Sequence, residues 1–188
     1  MTVPSSIADL GFRSTKAFQL AWNLGTRLAP DGIAGPKTLA AAAVSAKCHK
    51  AGLGDLSANF SASEAHCHCG GMLSGCQGVV VRRELLQALE VLRAHVGGPL
   101  PVIDIYRCAA HNRQVGGARE SQHADGTAAD VAAALGLSVT EVRALHVFSG
   151  IGSGASTRTV QHVDVRHLGR NPTGGTPLAP TLWTYPER

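Results

Sequence analysis

The chain has 188 residues, 44% hydrophobic and only 4% aromatic, with a formal net charge of +4. That apolar content builds a packed core and excludes wholesale disorder, and the length suits one medium domain or a small domain joined to a larger one. No Lys/Arg block or basic–aromatic stripe occurs, which argues against nucleic acid, and no apolar run approaches the ~20 residues that span a membrane. The basic balance favours an anionic partner such as a cell-wall polymer. A monomer is expected. The opening MTVPSSIADLGF has no positive region followed by an apolar stretch, so no signal peptide is read there.

The first unit is read over 1–50. Phe18 and Trp22 stand four apart, with Ala17, Ala21 and Leu24 nearby, which makes one face of a short helix. The run from Pro30 to Pro36 is turn chemistry, and Pro36 suits the first position of a second helix through Leu39 and Val44. The stretch AFQLAWNL…DGIAGPKTLAA resembles the small helical peptidoglycan-binding domain that accompanies many wall hydrolases. Phe18, Gln19, Asp31-Gly32-Ile33, Gly35 and Thr38 carry the likeness. The alternative is a small helical cap packed on the main domain.

Residues 51–57 are Gly-rich and read as a linker. The second unit, 58–188, contains an amphipathic helix marked by Leu85, Leu86, Leu89, Leu92 and Val96 and stopped at Gly97-Gly98-Pro99. Strands are predicted over 101–106, 127–132, 147–151 and 160–166. Ser138 and Glu141 form a capping-box pattern that opens a short helix to His146. This mixture points to an α+β domain.

The segment from Ser121 to Asp130, SQHADGTAAD, places His123 and Asp130 seven apart with Gly126 between them. Imidazole nitrogen and carboxylate oxygen both suit zinc, and a catalytic zinc needs three protein ligands with one position open. His162 in the strand VQHVDVR supplies a third, and Asp164, two residues on, shares its face. The pattern S-x-H-x-x-G-x-A-x-D with a later H-V-D-V resembles the zinc peptidases of the D-alanyl-D-alanine carboxypeptidase family. The metal scaffold of that family is shared with hedgehog signalling domains. The likeness continues through Tyr106-Arg107-Cys108, His111-Asn112 and Val115-Gly116-Gly117-Ala118.

The resemblance implies a small antiparallel sheet with flanking helices and a zinc held by His123, Asp130 and His162. It puts Arg107 beside the substrate, suited to a carboxylate or a developing oxyanion, and Ser121 among substrate-binding residues. Many relatives carry Asp or Glu three residues before the last histidine ligand; here that position is Thr159. The general base is therefore assigned to Asp164, whose alternative role is to orient a ligand or Arg166. Asp104, Asp125 and Glu120 remain further candidates, while His167 is expected to point away.

Cys67, Cys69, Cys76 and Cys108 are expected to meet in space, beside His66 and His68, as a structural zinc site or as disulfides. Cys48 is read as a free helix cysteine. Trp183 and Tyr185 either line the cleft or pack the tail down. The function so implied is hydrolysis of peptide bonds in bacterial peptidoglycan, as a D-Ala-D-Ala carboxypeptidase or as an endopeptidase of stem peptide or cross-bridge. Action at the cell wall, as a phage lysin, virion component or trimmed secreted protein, is the expectation. The rival reading is a non-catalytic wall-binding or virion structural protein that retains the zinc fold.

Overall fold

Ser14 opens the first long-range packing element: its hydroxyl accepts from Ala17 N at 3.2 Å and starts helix α2, Thr15–Ala21, just after the single turn α1, Ser5–Ala8. α2 buries Ala17, Phe18 and Ala21, with Phe18 edge-on to Phe12 at 5.6 Å. Gly35 and Pro36 open α3, Pro36–Lys50, and Lys47, His49 and Lys50 complement the dipole in its last turn. Gln19 joins the two helices. Its amide nitrogen donates to Asp31 Oδ1, Ile33 O and Thr38 Oγ1 at 2.8, 3.0 and 3.1 Å, and its oxygen accepts from Gly32 N at 2.8 Å. Of the residues that carried the sequence likeness here, Gln19, Asp31, Gly32, Ile33 and Thr38 are thus one hydrogen-bond network that pins the 31–33 turn.

The computed structural model describes residues 3–169 and 174–185, so the ends of the two expected units, 1–2 and 186–188, lie outside the described residues. The span 51–57, expected as a linker, is exposed over 51–53 but packs into the fold over 55–57. Asp55, Leu56 and Ser57 are buried. Asp55 accepts from Ala62 N through its side chain and from Ser45 Oγ through its carbonyl, and Leu56 O accepts from Asn23 N. The cause is Leu56, an apolar side chain that joins a single core running from Ile7 and Phe18 through Leu86 to Val163. Arg83 secures the join by donating to Trp22 O and Gly25 O at 3.0 and 2.9 Å.

α4, Arg83–Val96, turns Leu85, Leu86, Leu89 and Leu92 into that core and ends at Gly97 in the left-handed region, φ 71°. Each of those leucines contributes about 2 kcal/mol by leaving water. After it come β1, Val102–Asp104; α5, Ala109–Gln114; β2, Ala128–Val131; α6, Val139–Ala144; β3, Gly150–Gly154; β4, Val160–Asp164; and β5, Thr181–Tyr185. The Ser138–Glu141 capping box is formed in both directions.

The fold is α+β, but the sheet is mixed rather than antiparallel throughout. Its order is β1-β2-β4-β3-β5, and β5 runs parallel to β3 while the other pairs are antiparallel. β5 was not among the expected strands. It is specified by pairing with β3, more than two dozen residues earlier, which no local pattern encodes. Ala128 and Ala129 are weak strand formers on their own, yet lie fully buried in the interior strand β2, where neighbours on both sides supply the ladder. Among the described residues no helix is long and apolar enough to cross a membrane.

Candidate metal centre

Directly paired residues in a sheet point to the same face, so the register lists what that face carries. Asp104 pairs with Asp130, Asp130 with His162, His162 with Gly152, and Gly152 with Trp183. Asp164 pairs with Gly150 on the same face, and Tyr185 with Gly154. The opposite face, with Ala129, Val131, Ile151 and Val163, belongs to the core. The alternation in GIGSG therefore has a purpose: a Cβ at Gly152 would meet Trp183 Cε2 at 2.7 Å, and one at Gly150 would meet the Asp164 carboxylate. Glycine leaves room for a layer of polar and aromatic side chains above the sheet.

His123 enters this layer from the 3-10 turn Gln122–Asp125, which ends at Gly126 in the left-handed region, φ 65°, and feeds β2. A Cβ at Gly126 would strike the backbone at Val80 and Val81, so the glycine in the motif serves close approach as well as the turn. His123 Nδ1 donates to Ile105 O at 2.8 Å, since a carbonyl only accepts. His162 Nε2 donates to Asp164 Oδ2 at 3.2 Å by the same logic. Each ring then presents its other nitrogen as a lone pair. His123 Nε2, His162 Nδ1 and Asp130 Oδ1 stand 2.9 to 3.2 Å apart. Three acceptors facing one another repel unless a proton or a metal cation sits among them. The spacing is close to the roughly 3.3 Å edge of a tetrahedron with metal–ligand bonds of about 2.0 Å. His123 and His162 are buried, and Asp130 keeps 26% of its side chain exposed.

The electrostatics follow the same contacts. Burial opposes charge on Asp130, but the imidazoles of His123 and His162 beside it hold its carboxyl far below the usual range. Burial pushes His123 down. Burial also acts against a charged His162, yet its bonds to Asp130 and Asp164 raise it above 6.5. Asp164 is lowered despite burial, by His162 and Arg166.

A model of the peptidase M15 family matches residues 58–164, more than half of the 188, and takes in all three of these side chains. The chain belongs to the peptidase M15 family. No curated protein matches the chain. In this M15 peptidase the match ends at Asp164, so Arg166, Trp183 and Tyr185 lie beyond it.

The other residues singled out in the sequence fall as follows. Arg107 stands at the edge of the triad, 3.4 Å from Asp130 Oδ2 and 3.4 Å from Asp104 Oδ2, with its backbone N–H on His123 O. Ser121 is half-buried at the start of the 3-10 turn and makes no capping bond. Asp164 does not occupy the place of a base. Both its oxygens are taken, by Arg166 N, Nε and Nη2 at 2.7 to 3.2 Å and by His162 Nε2. It sits against the edge of the His162 ring opposite the nitrogen that faces the triad, so of its two expected roles the geometry favours orientation. Thr159 Oγ1 donates to Thr157 Oγ1 and offers no acid in its stead. His167 turns away from the triad to Ser149 Oγ at 2.8 Å. Asp104 is buried, has one oxygen with no hydrogen-bond partner, and is raised by burial against the pull of His123 and Arg107.

The structure adds neighbours that sequence reasoning left open. The rings of Trp183 and Tyr185 lie 5.1 and 6.5 Å from His162, and Arg166 stacks over Trp183 at 4.7 Å. The available signal was their spacing of two on an extended stretch, which puts both on one face. A cavity of about 480 Å³, lined by Leu20 of α2 and by Gln77, Arg82 and Tyr106, has none of the three triad residues in its wall.

Proposed function

We propose that this M15 peptidase is a zinc enzyme that hydrolyses peptide bonds of bacterial peptidoglycan. The metal would be held by His123 Nε2, Asp130 Oδ1 and His162 Nδ1. The observation that carries the reading is the convergence of these three ligand atoms within 3.2 Å, each histidine having its second nitrogen beside a fixed acceptor. A bound zinc supplies a Lewis acid that brings the pKa of water to about 7 and polarises the scissile carbonyl.

The chain's own residues do the rest. Asp164, locked by Arg166, fixes the tautomer and the plane of His162. Arg107 offers a cation at the rim for a substrate carboxylate or for charge developing on the carbonyl oxygen. Asp104 is the carboxylate we assign to take the proton of the attacking water and return it to the leaving amine, because one oxygen is unpartnered and burial raises its proton affinity. Trp183 and Tyr185 wall the layer beside His162 and exclude water. The N-terminal unit would hold the polymer, raising the effective concentration of stem peptides at the site. The place of action is then the bacterial wall.

The bond is the terminal D-Ala-D-Ala link or one inside the stem or cross-bridge, and the products decide. Purified peptidoglycan fragments incubated with the protein and analysed by mass spectrometry should lose a terminal alanine or split internally, with neither change from His123→Ala. The second reading, a wall-binding protein without catalysis, draws on Thr159 standing where many relatives carry an acid. Absence of any product on several wall chemotypes with zinc present would establish it.

A further inference from the structure

We infer that Cys67, Cys69, Cys76 and Cys108 form a second metal site, a tetrahedral tetrathiolate that takes zinc and serves structure rather than catalysis. The inference stands on geometry separate from the histidine–aspartate triad and does not rest on the peptidase reading.

All four sulfurs lie within 4.8 Å of one another and all four residues are buried. Cys67 Sγ is 3.4 Å from Cys69 Sγ, and Cys69 Sγ is 3.9 Å from Cys108 Sγ. A disulfide needs about 2.05 Å and pairs sulfurs two by two. A tetrahedral zinc with Zn–S of about 2.3 Å sets every edge near 3.8 Å and draws four sulfurs to one centre. The observed arrangement is the second kind: Cys69 approaches both Cys67 and Cys108 rather than one exclusive partner.

The backbone turns donors toward the sulfurs. Backbone N–H groups donate to sulfur from Gly78 to Cys76, from Cys108 to Cys67 and from His111 to Cys108, each at 3.4 Å. Cys67 Sγ also meets His111 Nδ1 at 3.5 Å. Arg13 closes over the loop, donating to Cys76 O at 3.1 Å and Gly71 O at 3.0 Å, so a cation lies next to the excess negative charge of a zinc tetrathiolate. Gly78 lets the chain double back: its φ is 71° and any Cβ would strike Gly11 O. Tyr106, Leu73 and Val80 shield the sulfurs from water. On binding, each ligating thiol releases its proton to solvent and no redox partner is needed.

The consequence reaches the other centre. The ion would tie the 67–76 loop to Cys108, whose neighbour Arg107 bonds His123 O through its backbone and stands at the rim of the triad. In a chain with few aromatics, such a cross-link replaces core packing in holding that corner.

The test is metal analysis of protein purified with zinc and reductant, as wild type and as His123→Ala/His162→Ala. The double variant keeps every cysteine, so one zinc per chain is expected to remain in it, and two in the wild type. Cobalt-substituted protein, wild type and double variant alike, should show the intense near-ultraviolet thiolate charge-transfer bands of sulfur coordination. Four of five thiols should resist alkylation until a chelator strips the metal, with Cys48 reactive throughout. A double variant without zinc overturns the inference, whether its cysteines are disulfide-bonded, with a mass lower by two hydrogens per bridge, or free and reactive. A wild type with one zinc and a double variant with one would instead sink the catalytic zinc alone.

Discussion

His162 and Asp164 are bound to each other along one strand: His162 Nε2 donates to Asp164 Oδ2 at 3.2 Å, while Asp164 is gripped by Arg166 at 2.7 Å from the other side. This relay fixes which nitrogen of His162 is left to face His123 and Asp130. A residue whose side chain is fully buried and accepts from four donor groups acts by holding something else still.

Asp164→Asn should therefore weaken zinc binding about 10- to 100-fold, as removal of a ligand's hydrogen-bond partner does. Leaving Arg166 without its carboxylate in a buried pair should cost about 3 kcal/mol. Equilibrium dialysis and thermal melts check both. If zinc affinity and stability stay at wild-type values while peptide cleavage vanishes, Asp164 is a catalytic base after all.

Asp104→Asn should leave metal content unchanged and lower kcat by about 100-fold or more, with the limb of the pH–rate profile that reports the base lost. Unchanged kcat would remove Asp104 from the mechanism.

Zinc binding should depend on pH through His162. In the metal-free protein its value is raised above 6.5 by Asp130 and Asp164, against burial. A proton on Nδ1 competes with the metal, so affinity is complete above the raised value and falls as pH drops below it. The stability of the metal-free chain has the opposite sense: the charged His162 contributes fully below 6.5, and that contribution disappears as pH rises past the raised value. Chelator competition and melts over a pH series read the two trends, and Asp164→Asn should shift both to lower pH.

Gly152→Ala should displace Trp183, because the new Cβ would lie 2.7 Å from its ring. An overpacking cost of about 1 to 3 kcal/mol is expected, with a change in tryptophan fluorescence and reduced cleavage. A variant with wild-type fluorescence and activity would show that Trp183 is not held against this strand.

Gln19→Ala removes the amide that satisfies Asp31, Gly32, Ile33 and Thr38 together. The cost should be about 1 to 3 kcal/mol from the buried groups left unpaired. Pelleting with peptidoglycan should fall while hydrolysis of a small soluble peptide persists; loss of both in parallel would mean that the N-terminal unit has no separate binding role.

The chain's short-range chemistry was readable directly. The capping box at Ser138, the stop at Gly97, the leucine face of α4 and the helix start at Pro36 are decided by residues within a turn or two of one another. That His123, Asp130 and His162 would be brought together as a group able to hold a metal was legible too, because metal-ligand chemistry restricts the residue types and the motif spacing restricts the positions.

Tertiary structure decided what depends on partners distant in sequence. That β5 runs parallel to β3, that Trp183 abuts His162, that Leu56 draws a Gly-rich span into the core, and that Cys108 meets a loop some forty residues earlier are matters of register and packing between remote segments. The role of Asp164 belongs with them. Spacing on a strand put it on the face of His162, but only the observed geometry shows Arg166 occupying the oxygens a base would need, because hydrogen bonds are spent according to distance and angle in space.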